Sequence, residues 1–145
     1  MRIYLVLSIL LVSCTTKVSA FPPLQNGNHI PEKIQAFLDR HFSKYEMDKL
    51  KHDAKGGECK VKYKNGIKIQ FNGNGDWEEI ESDYTPLPKS IIDILPKPAI
   101  TYIAKNHPQK TIVRVKHKSY GYRVKLADEP ELDFNQTGNL IKVSH

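Results

Sequence analysis

The chain repeats itself, and a repeat settles architecture before any single residue does. The segment Ile30-Pro31-Glu32-Lys33-Ile34-Gln35-Ala36-Phe37-Leu38 aligns with Leu95-Pro96-Lys97-Pro98-Ala99-Ile100-Thr101-Tyr102-Ile103 at an offset of 65, so Pro31 meets Pro96 and Phe37-Leu38 meets Tyr102-Ile103. Farther on the offset is 63: Val61 meets Val124, Tyr63 meets Leu126, Ile69-Gln70-Phe71-Asn72 meets Leu132-Asp133-Phe134-Asn135, and Gly75 meets Gly138. The change of two falls near Gly56-Gly57, and surface loops absorb such differences most easily. With 145 residues in all, each copy can be only a small unit.

Each copy opens with a proline followed by apolar residues three or four apart, in the first Ile34, Phe37, Leu38 and Phe42. That spacing predicts an amphipathic helix entered through its proline. A shorter apolar stretch, Leu87 to Ile94, ends at Pro96 and predicts a separate helical turn. After each helix the period switches to two. Val61 and Tyr63, then Ile67, Ile69 and Phe71, alternate with polar residues around Asn65-Gly66, which predicts a two-residue type I′ hairpin. Strands over Glu46–His52 and Trp77–Glu81 complete four per copy. One helix can cover only one face of such a sheet. The expected fold is α+β: two tandem repeats, residues 30–84 and 85–145, each a helix packed on a four-stranded antiparallel sheet, together forming a concave sheet surface.

Residues 1–20 stand apart. Arg2 is followed by the apolar run Ile3 to Val12, too short to span a bilayer and suited to an export signal. Two exits compete. Leu11-Val12-Ser13-Cys14 has the form of a lipobox, which would make Cys14 a lipid attachment site, and Val18-Ser19-Ala20 has the small-residue spacing of ordinary cleavage. Either exit delivers the chain to the periplasm, the cell envelope or the medium, with residues 21–29 as a linker, and any membrane contact runs through the lipid alone. Cys59 is then unpaired, and its phase with Val61 and Tyr63 places it on the buried face. The formal charge of +6 becomes +4 when Arg2 and Lys17 leave with the signal.

Alternation also assigns the other face. With the apolar set turned toward the helices, Lys60, Lys62, Lys68, Arg123 and Lys125 point to the open side, and Lys49, Lys51, Arg114 and Lys116 join them by the same parity. Glu79, Glu81, Glu131 and Asp133 are their acidic counterparts. Such a face either keeps an open sheet soluble or steers an acidic partner. Trp77 has parity opposite to Ile80, which sends it to the open face as a candidate anchor unless it folds over a hairpin end into the core.

Taken together, Pro31 with Phe37-Leu38 and His41-Phe42, the Lys60-Val61-Lys62-Tyr63 strand before Asn65-Gly66, Ile69 to Phe71, and Gly75-Asp76-Trp77 followed by Glu78 and Ile80 resemble a known family. It is that of the small secreted proteins of Gram-negative bacteria with tandem PepSY-like repeats and a fold like beta-lactamase inhibitor protein. The resemblance covers about residues 30 to 145. The second copy departs from the pattern at Asp128-Glu129-Pro130, where the Asn-Gly turn would be, and at Leu140, where Trp77 would be. The resemblance implies a periplasmic or surface protein without enzymatic activity, whose concave sheet binds another protein. Inhibition of a beta-lactamase is not implied, because fold does not carry function.

Chemical motifs are absent. The sequence has no Gly-x-Ser-x-Gly, no His-Glu-x-x-His and no phosphate-binding glycine loop. His52 and His117 are equivalent by repetition, but two ligands without a neighbouring Cys or Asp make a poor zinc site. The turns Asn72–Asp76 and Asp133–Asn139 lack the spaced carboxylates of calcium loops. No catalytic residue, metal ligand or cofactor is expected. The expected function is that of a monomeric, exported, non-enzymatic binding or inhibitor-like protein. It binds an envelope or extracellular protein through Lys49, Lys51, Lys60, Lys62, Lys68, Trp77, Arg114, Lys116, Arg123 and Lys125. The alternative is a carrier or sensor of a small ligand or acidic polysaccharide. Nucleic acid would need aromatic rings among the lysines, and apart from Trp77 there are none.

Overall fold

The computed structural model describes residues 30–144 apart from 54 and 129. The leader and linker, with Cys14, lie outside the described residues. The chain runs α1 (Glu32–Phe42), β1 (Met47–His52), β2 (Cys59–Tyr63), β3 (Ile67–Phe71) and β4 (Trp77–Ser82). It continues through α2 (Lys89–Ile92), α3 (Lys97–Asn106), β5 (Ile112–Lys118), β6 (Gly121–Leu126), β7 (Glu131–Asn135) and β8 (Leu140–Ser144). All eight strands form one antiparallel sheet in chain order, so the fold is α+β around a single sheet. Pairing of Glu79, Ile80 and Glu81 with Lys116, Val115 and Arg114 joins β4 to β5 across the long helical connection.

Helix α1 buries Ile34, Leu38 and Phe42, residues four apart that meet on one side of an α-helix. Glu32 in its first turn and Arg40 in its last complement the helix dipole. In α3, Pro98 occupies the first turn, where its missing N–H costs nothing, and Ala99 and Ile103 are buried. The helices cover one sheet face: Phe42 stacks on Tyr63 at 5.4 Å between ring centroids, Phe37 meets Phe71 edge-on at 5.5 Å, and Tyr102 meets Phe134 edge-on at 5.8 Å. Val61, Tyr63, Ile67, Ile69, Phe71, Val124, Leu126, Leu132 and Phe134 all lie in that core, as their alternation requires. Cys59 is fully buried beside them, and burial pushes its thiol up to about 11.

The hairpin tips close the ends. Asn72 Oδ1 accepts the amides of Asn74 and Asp76, and Asn135 Oδ1 accepts those of Thr137 and Asn139. Gly75 packs on Lys33 and Ile34, and Gly138 on Pro96, Pro98 and Ala99, so each tip seats on the start of a helix. The Asn65-Gly66 turn differs from expectation. Gly66 has φ +90° while Asn65 is not left-handed, and the Gly66 amide bonds to the Tyr63 carbonyl at 3.1 Å. The hairpin therefore closes with three residues, Lys64 to Gly66, the glycine taking the left-handed bulge position, rather than with a type I′ pair.

Candidate functional site

Strand pairing arranges the uncovered face into two rows of side chains. One runs Lys51, Lys60, Gln70, Glu79, Lys116, Arg123, Asp133, Lys142 across the sheet, and the other runs Lys49, Lys62, Lys68, Glu81, Arg114, Lys125, Glu131, Ser144. Ten cations thus face four carboxylates. Nine are those alternation assigns; the tenth, Lys142, was not legible. Strand β8 reads Leu-Ile-Lys-Val with no clean alternation because a bulge between Asp133 and Phe134 shifts its register.

The carboxylates are concentrated at β4 and β7, and the cations nearest them are bound. Arg123 donates from Nε to Asp133 Oδ1 at 2.7 Å and from Nη2 to Asp133 Oδ2 at 3.0 Å, and the Tyr120 hydroxyl donates to the same carboxylate at 2.9 Å. The hydrogen bond from Arg123 holds Asp133 below the usual carboxylate range, against burial that acts the other way. Arg114 pairs with Glu131 and approaches Glu79 at 3.8 Å, and Lys116 pairs with Glu79 at 3.0 Å. Lys68 leans away from β2 toward Glu81 at 3.3 Å and Asp83 at 2.8 Å, which raises its pKa.

The other end of the face lacks this compensation. Lys51 stands directly opposite Lys60, and Lys49 directly opposite Lys62. Among the described residues, Lys49, Lys51 and Lys60 have no ion-pair partner, and Lys62 has only the exposed Asp48 at 3.8 Å. Like charges at directly opposed positions, whose Cβ atoms lie about 5 Å apart, destabilise a sheet. These four lysines, with Lys68, Gln70 and the β4 carboxylates Glu79 and Glu81, line a depression of about 240 Å³. Lys125 is also exposed and without an ion pair among the described residues.

Trp77 is not part of this face, which corrects the parity reading. A bulge between Gln70 and Phe71 brings Trp77 opposite the fully buried Phe71, and its ring lies 5.5 Å from that of His117 and 6.4 Å from that of Tyr122 on the helix side. An extra residue in one strand reverses the alternation beyond it. A carrier would find a cleft on the helix side as well, about 470 Å³ lined by Ile92, Ile100, Ile103, Ala104 and Ile112 among others. In the Asn72–Asp76 turn the cation is Lys33, whose Nζ lies 2.6 Å from Asp76 Oδ1. Among the described residues no three His, Cys, Asp or Glu side chains gather into a metal site.

No curated protein matches the chain. A solved structure from Bacteroides thetaiotaomicron, described as a "putative calcium-regulated periplasmic protein", is 29% identical with a TM-score of 0.70, covering 81% of this chain and 91% of that one. A "putative periplasmic protein of unknown function" from Bacteroides vulgatus is 26% identical with a TM-score of 0.70, covering 84% of this chain and 97% of that one. A second Bacteroides vulgatus periplasmic protein is 25% identical, with a TM-score of 0.67 over 80% of this chain and 91% of its own. The periplasm or cell envelope, the compartment read from the leader, is thus that of its structural relatives. The family described as "Putative beta-lactamase-inhibitor-like, PepSY-like" matches residues 57–142. That match spans more than half of the sequence, and the chain belongs to this PepSY-like family.

Proposed function

We propose that the protein is an exported, monomeric, non-enzymatic binding protein. It consists of two copies of one helix-and-four-strand unit and receives an acidic envelope or extracellular protein on the β1–β2 end of its open face. The offsets of 65 and 63 that align the sequence also align α1 with α3 and β1 through β4 with β5 through β8, which supports the duplication. The leader is either released after Ala20 or ends in a lipid at Cys14.

One observation carries the binding reading: the opposed pairs Lys51 with Lys60 and Lys49 with Lys62, which among the described residues make one ion pair, Lys62 with Asp48 at 3.8 Å. Such an array destabilises the free sheet and is relieved by an anionic partner, which it also steers at long range. Neither row carries an aromatic ring on which bases could stack, which disfavours nucleic acid.

The test is affinity capture from native envelope extract. A column of the exported protein should retain a protein that elutes as salt rises, and a column of the Lys51→Glu/Lys60→Glu variant should not. Equal retention by both columns would remove the lysine face from the function.

A further inference from the structure

We infer that the β1–β2 site takes two carboxylates presented two residues apart on an extended acidic segment of the partner, and that Glu131 and Asp133 show within the protein itself how they are held. The inference rests on the binding reading above and specifies its ligand.

The two halves of the open face share one frame. Lys49, Lys51, Lys60 and Lys62 hold the same mutual register on β1 and β2 as Arg114, Lys116, Arg123 and Lys125 hold on β5 and β6. The neighbouring strand then differs. On β7, Asp133 stands opposite Arg123 and Glu131 opposite Lys125, whereas on β3 the corresponding residues are Gln70 opposite Lys60 and Lys68 opposite Lys62. Glu131 and Asp133 share a strand face about 7 Å apart. There Asp133 clamps Arg123 with two hydrogen bonds, and Glu131 reaches Arg114 across the intervening strand.

In the first half both carboxylates are missing from that pattern. Gln70 is neutral, and Lys68 is drawn off to Glu81 and Asp83. The depression of about 240 Å³ is lined by these two residues and the four lysines, with Glu79 and Glu81 of β4 at its border, where Glu79 is held by Lys116 and Glu81 by Lys68. A cationic frame whose counterpart is filled by two strand-spaced carboxylates is complementary to the same pair supplied from outside. A single anion would satisfy only half of it.

The test titrates the isotope-labelled exported protein, watched by amide NMR, with three peptides and one sugar. The peptides are Val-Asp-Thr-Asp-Val, Val-Asn-Thr-Asn-Val and Val-Asp-Asp-Thr-Val, whose adjacent carboxylates point to opposite faces of a strand; the sugar is oligogalacturonate. The first peptide should move the amides of Lys49, Lys51, Lys60 and Lys62 and bind at least about tenfold more tightly than the others. The Gln70→Asp variant, which places a carboxylate opposite Lys60 as Asp133 stands opposite Arg123, should stay folded and lose about tenfold in affinity for that peptide. Equal binding of the adjacent-carboxylate peptide, stronger binding of oligogalacturonate, an unchanged Gln70→Asp variant, or no response at millimolar peptide would each overturn the inference. If envelope capture still depends on Lys51 and Lys60 in those cases, the docking face survives and only its spacing rule falls; if it does not, both are lost.

Discussion

The Asp133→Ala substitution probes the half of the open face that satisfies itself. Asp133 is only 5% exposed and accepts hydrogen bonds from Arg123 Nε, Arg123 Nη2 and the Tyr120 hydroxyl at 2.7, 3.0 and 2.9 Å. A hydrogen bond to a charged group contributes about 1.5–3 kcal/mol when fully shielded. Arg123, with its side chain 32% exposed, recovers part of its hydration once released. The net cost is therefore about 2–3 kcal/mol. For a folded unit of about 115 residues the unfolding entropy is about 0.24 kcal/mol/K, so Tm should fall by about 10 °C in a calorimetric scan. A cycle with Arg123→Ala should return about 1–2 kcal/mol of coupling, because the residues share two of the three bonds. The pH dependence has a definite sign. The folded pKa of Asp133 lies below its unfolded value near 3.8, so the stabilisation is complete above that value and disappears as pH falls through the folded pKa. The gap between wild type and Asp133→Ala should hold constant from pH 7 to about 5 and narrow in stronger acid. A gap under about 0.5 kcal/mol at neutral pH, or one that does not narrow at all as pH falls below about 4, would refute the reasoning.

Two further predictions concern the frame. Cys59 is fully buried and its pKa is raised to about 11, so it should ignore a thiol reagent at pH 8 until the protein is unfolded. Because the unfolded thiol ionises near 9, wild type should lose stability relative to Cys59→Ala as pH rises from about 9 to 11, by up to about 2–3 kcal/mol in urea titrations; parallel curves would exclude this. Gly121 has φ +146° and no room for a side chain, since a Cβ there would lie 2.2 Å from the Phe134 carbonyl oxygen. Gly121→Ala should cost about 3 kcal/mol or more in urea midpoint analysis, and a cost under about 1 kcal/mol would show that β6 can shift.

Where side-chain period and backbone period agree, the sequence was transparent. Val61, Ile69, Val124 and Leu132 lie buried with their apolar partners, and Lys60, Lys62, Arg123 and Lys125 turn the other way, because alternation is a geometric property of an unbroken strand. It failed where strands bulge. One extra residue in β4, Glu78, sends Trp77 to the helix side, and another in β8, Ile141, hides Lys142 from a parity reading. Local propensity does not announce a bulge, which the register of the neighbouring strand imposes. Nor can parity rank charges. It places Lys60 and Arg123 on one face alike, but only the third strand, with Gln70 in one half and Asp133 in the other, decides which of them is held.

A plain explanation for the lysine quartet is that charge on an exposed edge strand deters edge-to-edge pairing. It covers half of the observation. Lys49 and Lys51 sit on the edge strand β1, but Lys60 and Lys62 sit on β2, whose backbone is already paired on both sides. The opposite edge, β8, is built without such a guard: it carries Lys142 alone among exposed Ile141 and Val143. A sheet selected only against edge pairing would charge both borders and spare the interior. Here the interior strand doubles the border's charge in direct opposition, and the two facing positions on β3 carry no carboxylate: Gln70 is neutral and Lys68 is itself a cation. The same frame is neutralised at Asp133 in the other half, so the bare charge is a choice of the sequence at one end of the sheet rather than a consequence of the fold.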